Sequence, residues 1–231
     1  MSAVATLLQI FTEPGKAMAA VRERSMIWLP LLLIMLGSAL LQLWYWQTVD
    51  IGWVQDYMLS ANPELTPEQI NASRGFMSRG VMTAVSAISV VVIFPVVLLI
   101  SAVYYLLAAK VIGNDIDFGK WFAFSTWSTV PTLLLIPLGA MQILLSDNGQ
   151  LTPEALNPLS FNQLLFHLPA SNPWAGLLNA ISLPSIWATV VAVIGYRRWT
   201  EKPLGTSLFI VLLPQLVIYG GWAAFAAMRS A

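Results

Sequence analysis

The chain has 231 residues, 58% of them apolar, and a mean hydropathy of +0.73. Eleven basic and eleven acidic residues give a formal net charge of zero, so neither nucleic acid nor a strongly acidic partner is implied. The absence of Cys excludes disulfides, iron–sulfur clusters and thiolate zinc sites.

The few charges are unevenly spaced. Uncharged runs cover 25–49, 80–109, 121–146, 155–196 and 203–228. A helix rises about 1.5 Å per residue and a bilayer core is about 30 Å thick, so about 20 apolar residues cross it. Each run is long enough. The pattern predicts an all-α, polytopic membrane bundle of five transmembrane helices with an amphipathic, interfacial N-terminal helix. The domain reading is an N-terminal cytoplasmic segment, 1–27, and a membrane domain, 28–231.

In chain order, MSAVATLLQIFTEPGK carries no basic residue before its first apolar stretch. That is not the pattern of a cleavable secretory signal, so a later membrane helix is expected to direct insertion. Residues 3–11 are apolar but too short to span, and Lys16, Arg22 and Arg24 follow. Residues 3–24 therefore read as one or two helices on the membrane surface, or alternatively as an N-terminal extension of the first span. The first span is about 28–47, ending in the aromatic cluster Trp44-Tyr45-Trp46 of an interfacial belt.

The loop 48–80 contains Thr66-Pro67-Glu68-Gln69, a capping box with proline in the first helical turn. The phrase LTPE recurs at 151–154 and reads as a second helix start. Spans follow at about 81–108 and 122–145, joined by a short loop in which Asp115 and Asp117 read as helix caps. The second long loop includes FNQLLFHL, a short amphipathic piece. The last spans are about 174–195 and 205–228, joined by the basic loop YRRWTEKPL.

Five spans put Lys16, Arg22, Arg24, Lys110, Lys120, Arg197, Arg198 and Lys202 on one side and Arg74, Arg79 and Arg229 on the other. The positive-inside rule then sets the N-terminus in the cytoplasm. The expected location is a bacterial inner membrane.

No ionisable residue falls mid-span, which argues against a charge-driven pump. Prolines at 95, 131, 137, 184 and 214 fall inside spans and are candidate hinges: Pro95, Pro131, Pro137, Pro184 and Pro214. Gln42, Gln142, Asn179 and Gln215 are candidate cavity-lining or interhelical polar groups. Gly220, Ala224 and Ala227 share one helix face and form a candidate packing face, within the bundle or with another copy. His167, the lone histidine, reads as structural or exposed. No nucleophile–base, metal-ligand, phosphate-loop or dinucleotide motif appears, so no enzyme activity, catalytic residue, metal or cofactor is expected.

The segments LLQIFTEPGKAMAAVRER (7–24), FGKWFAFSTWSTVPTLLLIPLG (118–139) and LPSIWATVVAVIGYRRWTEKPLGTSLFIVLLPQLVIYGG (183–221) resemble bacterial YIP1-family membrane proteins. The resemblance implies five helices and a cytoplasmic N-terminus. Eukaryotic relatives bind small GTPases and help organise membrane traffic. That role is not expected to carry over, because the chain has no counterpart of their long cytoplasmic N-terminal domain. The expected function is a component that binds a partner or organises the membrane. Its partners would be the lipid bilayer and a protein or second copy reached through membrane helices. The alternative is a small transporter or channel component for an uncharged or lipid-like ligand, which a continuous polar cavity would favour.

Overall fold

The computed structural model describes residues 2–62 and 64–230; Met1, Pro63 and Ala231, inside the predicted segments 1–27 and 28–231, lie outside the described residues. Helices dominate, and the described residues include no strand beyond an isolated antiparallel bridge between Ser160 and Ser182. Four stretches are long and apolar enough to cross a membrane: Trp28–Thr48, Arg79–Val111, Phe118–Leu145 and Leu204–Ser230. The predicted spans 28–47, 81–108, 122–145 and 205–228 fall inside them.

The predicted span 174–195 is not one helix. Its first part is the short α10 (Ala175–Ala180), and α11 (Leu183–Thr200) begins after a break. Phe161 N–H donates to the Ile181 carbonyl at 2.8 Å, and Leu183 N–H to that of Leu159 at 3.1 Å. The long loop thus takes the backbone groups that a continuous helix would pair internally. The 18 residues of α11 rise about 27 Å. Arg197 and Arg198 occupy its last turn, so it falls short of the apolar content of the other four.

The prolines mostly punctuate helices. A π-turn, Ser89–Ile93, precedes Pro95 in the first turn of α7 (Phe94–Val111). Pro131 sits in a 3-10 turn, Val130–Leu134, between α8 (Phe118–Ser128) and α9 (Leu135–Leu145), and Pro137 lies in the first turn of α9. Pro184 opens α11. Of the five, Pro214 is the one deep inside an α-helix, α12 (Leu204–Ser230).

The chain divides into two compact units. The first comprises Met1–Leu36, Val92–Leu133 and Pro184–Ile218. Its core is aromatic: Trp121, Phe124, Trp127, Tyr196 and Trp199 are all at most 1% exposed. The N-terminal helices α1 (Ala3–Thr12) and α2 (Pro14–Arg24) close over this core, with Ile10, Ala17, Met18 and Val21 fully buried. The Trp199 indole donates to the Met18 carbonyl at 2.8 Å, and the Trp127 indole donates to that of Met26. Residues 3–24 are therefore built into the unit, rather than resting on lipid alone.

The second unit comprises Gly37–Val91, Leu134–Leu183 and Tyr219–Ala231. Tyr45, Trp46, Val49, Val54, Ile143 and Leu156 form its core. The Thr66/Gln69 capping box opens α5 (Pro67–Phe76), with both reciprocal bonds made. The second LTPE starts a 3-10 turn, Pro153–Leu156, where Thr152 makes no capping bond. The Arg79 guanidinium donates to the carbonyls of Trp46 and, at 3.0 Å, Val49, satisfying the end of α3 (Trp28–Thr48). FNQLLFHL forms a π-turn, Asn162–Phe166, closed by an exposed His167 at φ +50.

Large apolar side chains cover the outside. Val91, Val92, Ile93, Val97 and Ile100 are all at least half exposed in one helical stretch. Water would not tolerate such a continuous surface, and acyl chains do.

Candidate functional site

Two helices of the first unit are amphipathic in the same way. On α2, Ala17, Met18 and Val21 face the core while Gly15, Ala19, Arg22 and Glu23 line the other side. On α11, Tyr196, Trp199 and Thr200 are buried while Ile194, Arg197 and Arg198 line the other side. These spacings of three and four place each set on one helix face. Both faces border an open cleft of about 900 Å³, completed by Lys120 from the first turn of α8, Glu201, and Leu204 at the start of α12. A neighbouring cleft of about 530 Å³ shares Gly15, Ala19, Glu23 and Arg198 and adds Lys16.

Four cations and two carboxylates line the larger cleft. Among the described residues, Arg22, Arg197 and Arg198 make no ion pair or side-chain hydrogen bond. Lys120 approaches Asp117 only at 3.9 Å. Asp117 serves mainly as the cap of α8, accepting from Lys120 N–H at 3.0 Å, and Asp115 is exposed. Glu201 follows the end of α11 at φ +57, a left-handed conformation costly for a residue with a Cβ. Its N–H closes on the Arg197 carbonyl at 2.9 Å. The arrangement offers guanidinium forks without partners among the described residues, a donor set suited to holding an anion.

The four polar candidates are divided between the two units. Gln215 lies in the first unit, where its amide donates to Thr189 Oγ1 at 2.9 Å. Gln42, Gln142 and Asn179 lie in the second. Asn179 accepts from Ser160 Oγ at 3.4 Å, within reach of a weak bond. Gln142 lines a small cleft with Leu145, Ser146, Asp147, Asn148, Gln150 and Leu151, which includes none of the other three. Gln42 is half-buried and makes no side-chain hydrogen bond to the described residues.

The proposed packing face is also differently placed. Gly220, Ala224 and Ala227 are all exposed, and a Cβ added to Gly220 would meet nothing within 4 Å. Among the described residues, no neighbour packs against Gly220 within that distance. On the same helix Ala226 is fully buried instead. In the second unit, burial first and then the Glu154 carboxylate push the Tyr57 phenol up to about 12.

A family model described as Yip1 domain matches residues 8–225. Membrane protein YknW of Bacillus subtilis (strain 168) is 24% identical over 221 residues, covering 93% of this chain and 87% of that protein. No solved structure matches the chain.

Proposed function

The chain belongs to the Yip1 family, and from that premise we propose that it is a non-enzymatic membrane component that binds a partner or organises the membrane, with its N-terminus and basic cleft in the cytoplasm. The observation that carries this reading is the cleft. Arg22, Lys120, Arg197 and Arg198 come from distant parts of the sequence yet border one space, so they share one side of the membrane. Basic residues gather on the cytoplasmic side. Arg198, in the last turn of α11, lines the same cleft as Lys120, which favours α11 returning the chain to the side where the stretch Phe118–Leu145 began. This supports five crossings although α11 is the least apolar. Reporter fusions at Lys16, Asp115 and Lys202 should read cytoplasmic, and fusions at Glu64 and Glu154 external. An external Lys202 would reduce the count to four and remove the cleft from the cytoplasm.

The partner contact within the membrane is assigned to the exposed small face of α12. A helix surface of Gly220, Ala224 and Ala227 lets a second helix approach closely, and lipid gives no competing hydrophobic drive. Gly220→Leu should leave the stability of the single chain within about 0.5 kcal/mol, as surface changes do. It should also shift the particle to a smaller size on size-exclusion chromatography in mild detergent. A loss of thermal stability with unchanged particle size would show instead that the face packs inside the chain.

A further inference from the structure

Resting on the reading that the cleft faces the cytoplasm, we infer that it is a binding site for the phosphate of an anionic phospholipid headgroup. Three independent features of the cleft point to this ligand. The first is chemistry. Arg22, Arg197 and Arg198 have no partner among the described residues, and they sit with Lys120 around one open space. Guanidinium forks bind phosphate oxygens bidentately, and several forks suit a group with acceptors on different sides.

The second feature is depth. Lys120 is in the first turn of the apolar stretch Phe118–Leu145, Leu204 begins the apolar helix Leu204–Ser230, and Arg197 and Arg198 end α11. The cleft therefore lies where the hydrocarbon-spanning segments stop, which is the level of lipid phosphate. A site for a free cytoplasmic anion has no reason to sit at this depth.

The third feature is mixed lining. Ala19, Ile194 and Leu204 border the same space as the arginines. An amphiphile uses both parts, with its phosphate on the cations and its glycerol backbone and upper acyl chain on the apolar wall. Glu23 and Glu201 complete the rim. They leave a modest positive excess, enough for one phosphate and unfavourable for a polyphosphate. They also accept hydrogen bonds from headgroup hydroxyls.

The test uses the purified full chain in a neutral detergent, titrated with short-chain phosphatidylglycerol, short-chain phosphatidylcholine or inorganic phosphate. Binding is read by thermal stabilisation and by lipid retained in native mass spectrometry. Phosphatidylglycerol should stabilise the wild-type chain and phosphatidylcholine should not. Arg22→Gln, Arg197→Gln and Arg198→Gln should each weaken the phosphatidylglycerol affinity about tenfold, the loss of one charge-assisted contact. Lys110→Gln, an exposed cation that does not line the cleft, should leave it unchanged, and Arg198→Lys should restore part of the loss. Equal stabilisation by inorganic phosphate would overturn the lipid source and leave a free-anion site. Equal losses in Lys110→Gln and the arginine variants would mean diffuse surface charge and no built site. If an arginine variant fails to fold, lipid selectivity of the wild-type chain decides: retention of both headgroups alike sinks the proposal. A cytoplasmic reporter at Lys202 together with no phosphatidylglycerol binding would refute the lipid site while leaving the topology intact.

Discussion

Gly195→Leu is expected to unseat the N-terminal helix α2 from the aromatic core, at a cost of about 3 kcal/mol. Gly195 lies on α11 directly against Met18 of α2. A Cβ built there would stand 2.8 Å from Met18 Cε, 3.0 Å from Met18 Cγ and 3.0 Å from Phe124 Cε2. Met18 is flexible at its end and can retreat. Phe124 cannot, because its ring is fully buried among Tyr105, Trp121 and Trp199, with centroids 4.8, 5.2 and 5.1 Å away. Alanine at this position gains about 1 kcal/mol of helix propensity, which offsets part of its overpacking. Leucine adds volume that no propensity covers. Two readouts should move together for Gly195→Leu. The thermal transition followed by far-UV circular dichroism in detergent should fall. Trypsin should also cleave faster at Lys16, Arg22 and Arg24, since local opening of α2 exposes them. Gly220 lies on open surface by contrast, and Gly80→Leu, at another open glycine outside the proposed partner face, is the matched control. Unchanged cleavage and melting in Gly195→Leu would mean that α2 is not seated on α11.

This contrast between two glycines shows what the sequence could and could not reveal. Four of the five predicted spans were legible because the missing charges extend over whole helix lengths. The packing was not, because a helix apolar on all sides carries no periodicity to separate lipid from core. Gly220 therefore looked like a contact and stands exposed, while Gly195 in AVIGYRRW holds the tight approach. The cluster Trp44-Tyr45-Trp46, read as an interfacial belt, is divided in the same way: Trp44 is exposed, whereas Tyr45 and Trp46 are buried in the core of the second unit. The break before α11 depends on backbone pairing between residues about twenty apart, a contact that local pattern does not announce. The cleft was half legible. Each of its cations entered the count that oriented the chain, but only the fold joins residue 22 to residues 120 and 197. The available signal was the alternation in 15–23 and 194–201, with basic residues opposite large apolar or aromatic ones.

Trp199→Phe is expected to destabilise the chain by about 2 kcal/mol more than Trp121→Phe, although the two indoles are neighbours. Their ring centroids are 5.4 Å apart, and both side chains are at most 1% exposed. Each substitution removes the same atoms from the same aromatic cluster, so the transfer and cavity costs nearly cancel in the comparison. What differs is the indole N–H. That of Trp199 donates to the Met18 carbonyl at 2.8 Å, a bond joining α11 to α2 across 181 residues of sequence. That of Trp121 is buried and has no partner among the described residues. Removing a made hydrogen bond loses about 1 kcal/mol, whereas removing a stranded donor recovers a desolvation cost of about 1–3 kcal/mol. The effects have opposite sign, so the gap between variants exceeds either alone. Thermal melts of both variants and the double variant, followed by far-UV circular dichroism, measure it; the double variant corrects for coupling between touching rings. Equal losses at the two positions would overturn the assignment. They would place a buried water on the Trp121 N–H, and the core of the first unit would then be hydrated rather than purely aromatic.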